Sequence, residues 1–204
     1  RDPLWSRGLG DVYKRQGLHG VVSWMSGEGF TTTVFPQSIG IASAWNPGLV
    51  SQEAEVISDE ARALANQLEN AKFLNFWSPM INMARDPRWG RTQESYGEDP
   101  FLVSEMSKAF IQGLQGNDPK YIKTAASIKH FIANNVDYHR HYGSSNISEK
   151  LLRDYYFPAF KANVLESNVQ IVMSAYNALN NVPSSTNDWL LKEDLREDWG
   201  FEGN

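Results

Sequence analysis

With 204 residues, 41% of them hydrophobic and 21% charged, the chain has the composition of a folded globular domain and not of a disordered segment. A net charge of -5 argues against the basic face of an electrostatic nucleic-acid binder, and no apolar run approaches the length of a membrane span. The absence of cysteine excludes a disulfide framework and leaves the redox compartment open.

Residues 1–16 show no clear period and sit badly against the patterned chain that begins at Gly17. From Gly17 the chain reads GLHGVVSW, where His19 beside a glycine has an ordinary structural reading. Val34 and Phe35 before Pro36 read as a short strand running into a turn, because proline cannot donate to a ladder. Residues 51–71 are predicted helical: Ser51 caps the amino end, acids crowd the first turns, and Val56, Ile57, Ala61, Leu64 and Leu68 fall on one face. The apolar run at 74–83 reads as a strand of a sheet core.

That strand passes into residues 84–100, ARDPRWGRTQESYGEDP, with three arginines and four acids. A segment so charged cannot be a buried strand. It reads as a loop at the carboxyl end of a strand, where α/β enzymes keep their ligand contacts. Arg85, Arg88, Glu94 and Glu98 are expected mainly to lock the loop through arginine–carboxylate pairs.

A second amphipathic helix spans 100–116, ending at Gly113 or Gly116. Near the end of the strand KTAASIKHFIANN stand Lys129 and His130, a cation and an imidazole where the strand passes into the loop beginning at Asn134. In that loop, 135–148, His139 and His141 lack an acid or cysteine partner at metal-ligand spacing, so no metal is expected. A third helix begins at Ser148, with Pro158 set to interrupt or kink it. A buried strand over 169–175 contains Met173, readable as core packing, and delivers Tyr176 and Asn177 at its carboxyl end. A fourth helix covers 187–199. Strand and helix alternating in this way imply a parallel sheet with right-handed crossovers.

The motif RDPRWGR-x-x-E-S-x-x-E-D-P, with LHG before T-x-FPQ and the KHF step, resembles glycoside hydrolase family 3, the β-glucosidases and β-xylosidases. The resemblance implies an α/β fold, a partial (β/α)8 TIM barrel of parallel strands alternating with helices. A whole barrel takes about 250 residues. Residues 17–204 are therefore expected to form an incomplete N-terminal barrel domain with exposed sheet edges. Residues 1–16 are expected to be foreign to it, since DVYKRQ resembles the in-frame translation of a transposon end.

The same resemblance implies that Arg91, Lys129, His130, Arg140, Met173 and Tyr176 contact the sugar, with His19 as a further contact. The acid that precedes the L-H-G step in xylosidase-like members is replaced here by Gln16. Retaining glycosidases use two carboxyl groups about 5 Å apart. Resemblance puts the nucleophilic Asp on the strand after G-F-x-G and the acid/base later still, so neither is expected within this chain. The implied activity is that of an exo-acting β-glycosidase on terminal β-D-glucosyl or β-D-xylosyl residues. Its partner is an oligosaccharide or β-glycoside, with no cofactor, nucleic acid or membrane, and a periplasmic or extracellular location. Three other readings stay open: a sugar-binding module without turnover, a metal-assisted hydrolase using His19, His130, His139 and His141, and a structural domain.

Overall fold

The computed structural model describes residues 32–69 and 71–204. His19, Gln16 and the boundary after residue 16 therefore lie outside the described residues. Phe35 makes an isolated bridge and no strand forms around it; a short helix, α1 (Ser38–Ala42), comes at once after it.

Helix α2 (Pro47–Leu68) starts four residues before the predicted cap. Asn46 does the capping, its side chain accepting the Leu49 N–H at 3.2 Å, and Pro47 occupies the first turn, where its missing N–H costs nothing. Val50, Ala54, Ile57, Ala61 and Leu64 form the buried stripe. Val56 and Leu68, expected on that face, are instead 42% and 37% exposed, because the stripe runs through positions 50, 54, 57, 61 and 64 and leaves them at its flanks.

The predicted strand at 74–83 is regular only at β1 (Asn75–Phe76). Proline at 79 and the exposed Trp77 break its ladder, yet the segment still runs alongside its neighbour. Ser127 N–H donates to Ser78 O at 2.9 Å, Lys129 N–H to Pro79 O at 3.2 Å and Ile81 N–H to Lys129 O at 2.9 Å. Helix α3 (Pro100–Gln115) is capped by Asp99, which accepts the Leu102 N–H at 2.7 Å, and ends at Gly116 with φ 72°. It packs on α2 at Gly113, where a Cβ would lie 2.8 Å from Ala54 Cβ.

Strand β2 (Ala125–Phe131) is the centre of the sheet. Helix α4 (Glu149–Leu151) comes after β3 (Ser144–Ser145), is capped by Ser148, and runs into a π-helical turn at Leu152–Tyr156. Helix α5 (Phe157–Ser167) continues from it. Pro158 therefore falls in the first turn of α5, and the wider π turn lies where a regular i to i-4 bond to its missing N–H would have been. Strand β4 (Ile171–Ser174) completes a parallel sheet in the order β1-β2-β4. The predicted fourth helix is π-helical over Trp189–Asp198.

A second, small sheet joins β3 to β5 (Ala178–Leu179) in parallel and β5 to β6 (Val182–Pro183) antiparallel. The hairpin turn between them is Asn180–Asn181, with φ 50° and 68°, the two positive values that a tight two-residue turn demands. Beneath the main sheet, Phe131 meets Phe160, Trp199 and Phe157 at ring separations of 5.0, 5.7 and 6.2 Å. The chain is thus an α/β arc of a (β/α)8 barrel, and its parallel strands all point their carboxyl ends to one side. No described helix is long and apolar enough to cross a membrane.

Candidate functional site

At the carboxyl ends of β1 and β2 two backbones run side by side, and Asn82 joins them. Its Nδ2 donates to His130 O at 2.9 Å, and its Oδ1 accepts the His130 N–H at 2.8 Å and faces the ring Nδ1 at 3.2 Å. On the other side of the imidazole, Arg91 Nη1 lies 3.1 Å from Nε2. A guanidinium can only donate, so Nε2 is the acceptor and the ring proton sits on Nδ1, facing Asn82. His130 is neutral. Burial holds its pKa far below the ordinary imidazole range, and the charges of Arg91, Lys129 and Arg140 push the same way.

Arg91 is aimed by Glu94, which accepts from Nε and Nη2, both at 2.7 Å. Both side chains are about nine-tenths buried, at 11% and 8% exposure. A buried bidentate pair loses about 3–5 kcal/mol when one partner is removed, because the remaining charge is left uncompensated. Glu94 thus locks the loop as expected, but through Arg91 and not through Arg85 or Arg88. Asp86 and Arg88 pair with each other at the surface, and Asp99 caps α3.

Lys129 and His130 both lie inside β2, which runs on to Phe131, and not at its end as expected. Its pKa is pushed down to about 8 by burial and by Arg91, with Glu94 opposing. Met173 is its register partner on β4 and is half-buried. Tyr176 stands two residues beyond β4, 59% exposed, with the Arg140 guanidinium 5.6 Å above its ring. The arginine loop and the Arg140 loop are tied together where Gly90 N–H donates to Asp137 Oδ2 at 3.0 Å. A Cβ at Gly90 would stand 2.6 Å from that oxygen, so only glycine lets the carboxylate reach the backbone.

Five of the predicted residues, Arg91, Lys129, His130, Arg140 and Tyr176, thus gather around the carboxyl end of β2, with Met173 beside Lys129 on β4, while His19 lies outside the described residues. Sequence reasoning missed Asn82 and Asp137. Asn82 carried a weak signal, as a polar residue one position before the end of an apolar strand. Three cations around one neutral imidazole, with aromatic rings alongside, make a surface rich in hydrogen-bond donors and suited to a polar, uncharged or anionic ligand. Among the described residues no three His, Asp or Glu side chains cluster as metal ligands.

Polar side chains at the carboxyl ends of parallel strands put the site where α/β domains, barrels among them, keep their ligand contacts. The family model described as the glycosyl hydrolase family 3 N terminal domain matches residues 12–204, and the chain belongs to that family. It is 39% identical over 203 residues to an exo-1,4-beta-xylosidase of Emericella nidulans, covering 98% of this chain and 26% of that protein. A beta-xylosidase of Formosa agariphila is 39% identical over 202 residues, covering 96% and 27%. Among solved structures, a GH3 exo-beta-xylosidase in complex with a xylobiose aziridine probe superposes with a TM-score of 0.80 at 35% identity, covering 84% of this chain and 23% of that one. Beta-glucosidase 3B of Thermotoga neapolitana, in complex with alpha-D-glucose, superposes with a TM-score of 0.74 at 38% identity, covering 84% and 22%. The chain spans about a quarter of the length of the curated relatives it matches.

Proposed function

We propose that this chain is the sugar-positioning part of a retaining exo-β-glycosidase that removes terminal β-D-xylosyl or β-D-glucosyl residues from oligosaccharides. The observation that carries the reading is the Arg91–His130 contact, buttressed by Glu94 and Asn82, beside Lys129. Family relatives named for xylosidase activity and a relative holding a xylobiose-derived probe favour the xylosyl substrate. Arg91 and Lys129 donate to sugar hydroxyls, and His130 presents an imidazole whose protonation does not change near neutral pH. Met173 and Tyr176 bound the ring.

The catalytic carboxylates come from elsewhere in the protein. Around the site, Glu94 is held bidentately by Arg91, Asp86 by Arg88, Asp137 by a main-chain N–H and Asp99 by the first turn of α3, so these four carboxylates already have structural tasks. Two free carboxyl groups about 5 Å apart are what retention requires.

In the full-length protein, Arg91→Ala or Lys129→Ala is expected to lower kcat/KM for an aryl β-xyloside by about a hundredfold or more, the scale of lost charge-assisted hydrogen bonds. Unchanged kinetics in both variants would falsify the assignment. Comparing xylobiose with cellobiose on the wild type decides between the two sugars.

A further inference from the structure

Arg91 and Arg140 reach the site from two different loops and are held in different ways. Arg91 is clamped by Glu94 within its own loop. Arg140 has no carboxylate partner among the described residues: its Nε lies 3.5 Å from His141 Nε2, and its guanidinium lies over the Tyr176 ring. A side chain held only in this way takes its position from its backbone. Whatever fixes the backbone of residues 136–142 therefore places the second guanidinium.

That segment leaves a buried tie, Asn135 Nδ2 to Met83 O at 2.6 Å, and runs into solvent. Its next hold is Asp137. The Asp137 carbonyl accepts the Arg140 N–H at 3.3 Å and closes a turn, where an aspartate ordinarily directs its carboxylate to a nearby main-chain N–H. Here the carboxylate reaches back 47 residues to the Gly90 N–H at 3.0 Å. Gly90 stands between the buried Trp89 and Arg91, so the loop is fastened beside the first arginine. The φ of Gly90 is outside the left-handed region, and its backbone would accept any residue. Only Asp137, among the described residues, lies within 4 Å of where a Cβ would stand. Both residues are exposed, so the bond competes with water and adds little to stability. What it fixes is a distance.

We propose that Asp137 is a positioning residue for the reaction: through the Gly90 N–H it fixes the Arg140 loop to the arginine loop and so sets the separation of the two guanidinium groups. It does for Arg140, by way of the backbone, what Glu94 does for Arg91 directly. Hydroxyls on one sugar ring have fixed spacings, and donors displaced by about 1 Å can lose up to about a hundredfold in rate. The inference rests on the glycosidase reading of the site, and it accounts for a glycine at position 90 that the backbone there does not require.

The test uses the full-length protein and the aryl β-xyloside or β-glucoside that the wild type turns over. Asp137→Ala, which removes the acceptor, and Gly90→Ala, whose methyl group displaces it, are each expected to lower kcat/KM about tenfold. Asp137→Asn keeps an oxygen for the Gly90 N–H and is expected to stay within about threefold of the wild type. In an Arg140→Ala background Asp137→Ala is expected to add less than about twofold, because the group it positions is gone. Thermal midpoints are expected to move by no more than about 2 °C. Asp137→Ala kinetics like the wild type, Asp137→Asn as damaging as Asp137→Ala, a full second loss in the Arg140→Ala background, or a fall of more than about 5 °C in Asp137→Ala overturns the positioning role and leaves the glycosidase reading intact. A wild type that hydrolyses neither glycoside overturns the glycosidase reading, and the positioning role with it.

Discussion

At Asn82 a single carboxamide makes three contacts with one residue, taking the main-chain N–H of His130, giving to its carbonyl and facing its ring nitrogen. The amide adds no charge beside an imidazole that burial and the neighbouring cations already keep neutral, and Nε2 accepts from Arg91. Asn82→Asp keeps the shape and adds a charge beside Nδ1, which draws a proton onto the ring and turns Nε2 into a second donor pointed at the guanidinium. The expected result in the full-length protein is at least about a tenfold loss in kcat/KM, relieved as pH rises through the range where His130 again loses its proton. A pH profile parallel to that of the wild type would show that the carboxamide acts only as a structural tie. Lys129 is a different case. With its pKa near 8 it is still mostly charged at neutral pH and remains a donor to a sugar hydroxyl.

Helix α2 carries a group that works against its own packing. Glu53 is 4% exposed, neither of its oxygens has a hydrogen-bond partner among the described residues, and burial raises its pKa from 4.5 to about 7. The titratable group whose influence it shares is the buried phenol of Tyr96, itself bonded to Ser38. Because the folded state holds this proton more tightly than the unfolded state, the contribution of Glu53 to stability is full below pH 4.5. It is lost progressively as pH rises to about 7. A shift of this size corresponds to about 3 kcal/mol at pH 8. Glu53→Gln is expected to slow hydrogen exchange in α2 at pH 8 and to leave it unchanged at pH 4.5; equal exchange at both values would remove Glu53 as the cause. Gly113, against α2, is the opposite kind of position, where any added methyl group overpacks the contact between α2 and α3.

Across the whole molecule the sheet is unevenly covered. In β2 most side chains are buried, as a parallel strand between neighbours should be, whereas Ile171, Val172, Met173 and Ser174 of β4 are all half-exposed. Residues 201–204 begin to cover β4: Val172 N–H donates to Asn204 O at 2.8 Å, and Asn204 N–H to Gln170 O at 3.0 Å. An apolar parallel strand with so little cover is a surface for association. The 204-residue chain expressed alone is expected to bind the dye ANS and to be cut readily by protease near β4, and the full-length protein to do neither. Cooperative unfolding of the isolated chain without dye binding would show that the arc is self-sufficient.

What could be read from the sequence is what neighbours in the chain decide. Asp99 and Pro100 start α3 and Gly116 stops it, and these signals act within a turn; Ser148 caps the next helix for the same reason. The family motif and the strand–helix alternation were legible too, and with them the barrel class and the candidate residues. Strands two residues long were not, since β3, β5 and β6 are too short to show a period, and their turn became visible only in the positive φ of Asn180 and Asn181. The π turns were hidden because proline reports a missing N–H without saying how the chain accommodates it. Arg91 pairs with Glu94 three residues on, a local choice, but it meets His130 across 39 residues. That meeting, the Asn82 clamp and the tie from Asp137 to Gly90 depend on which strands lie side by side, and only the packing of β1 against β2 and β4 brings them together.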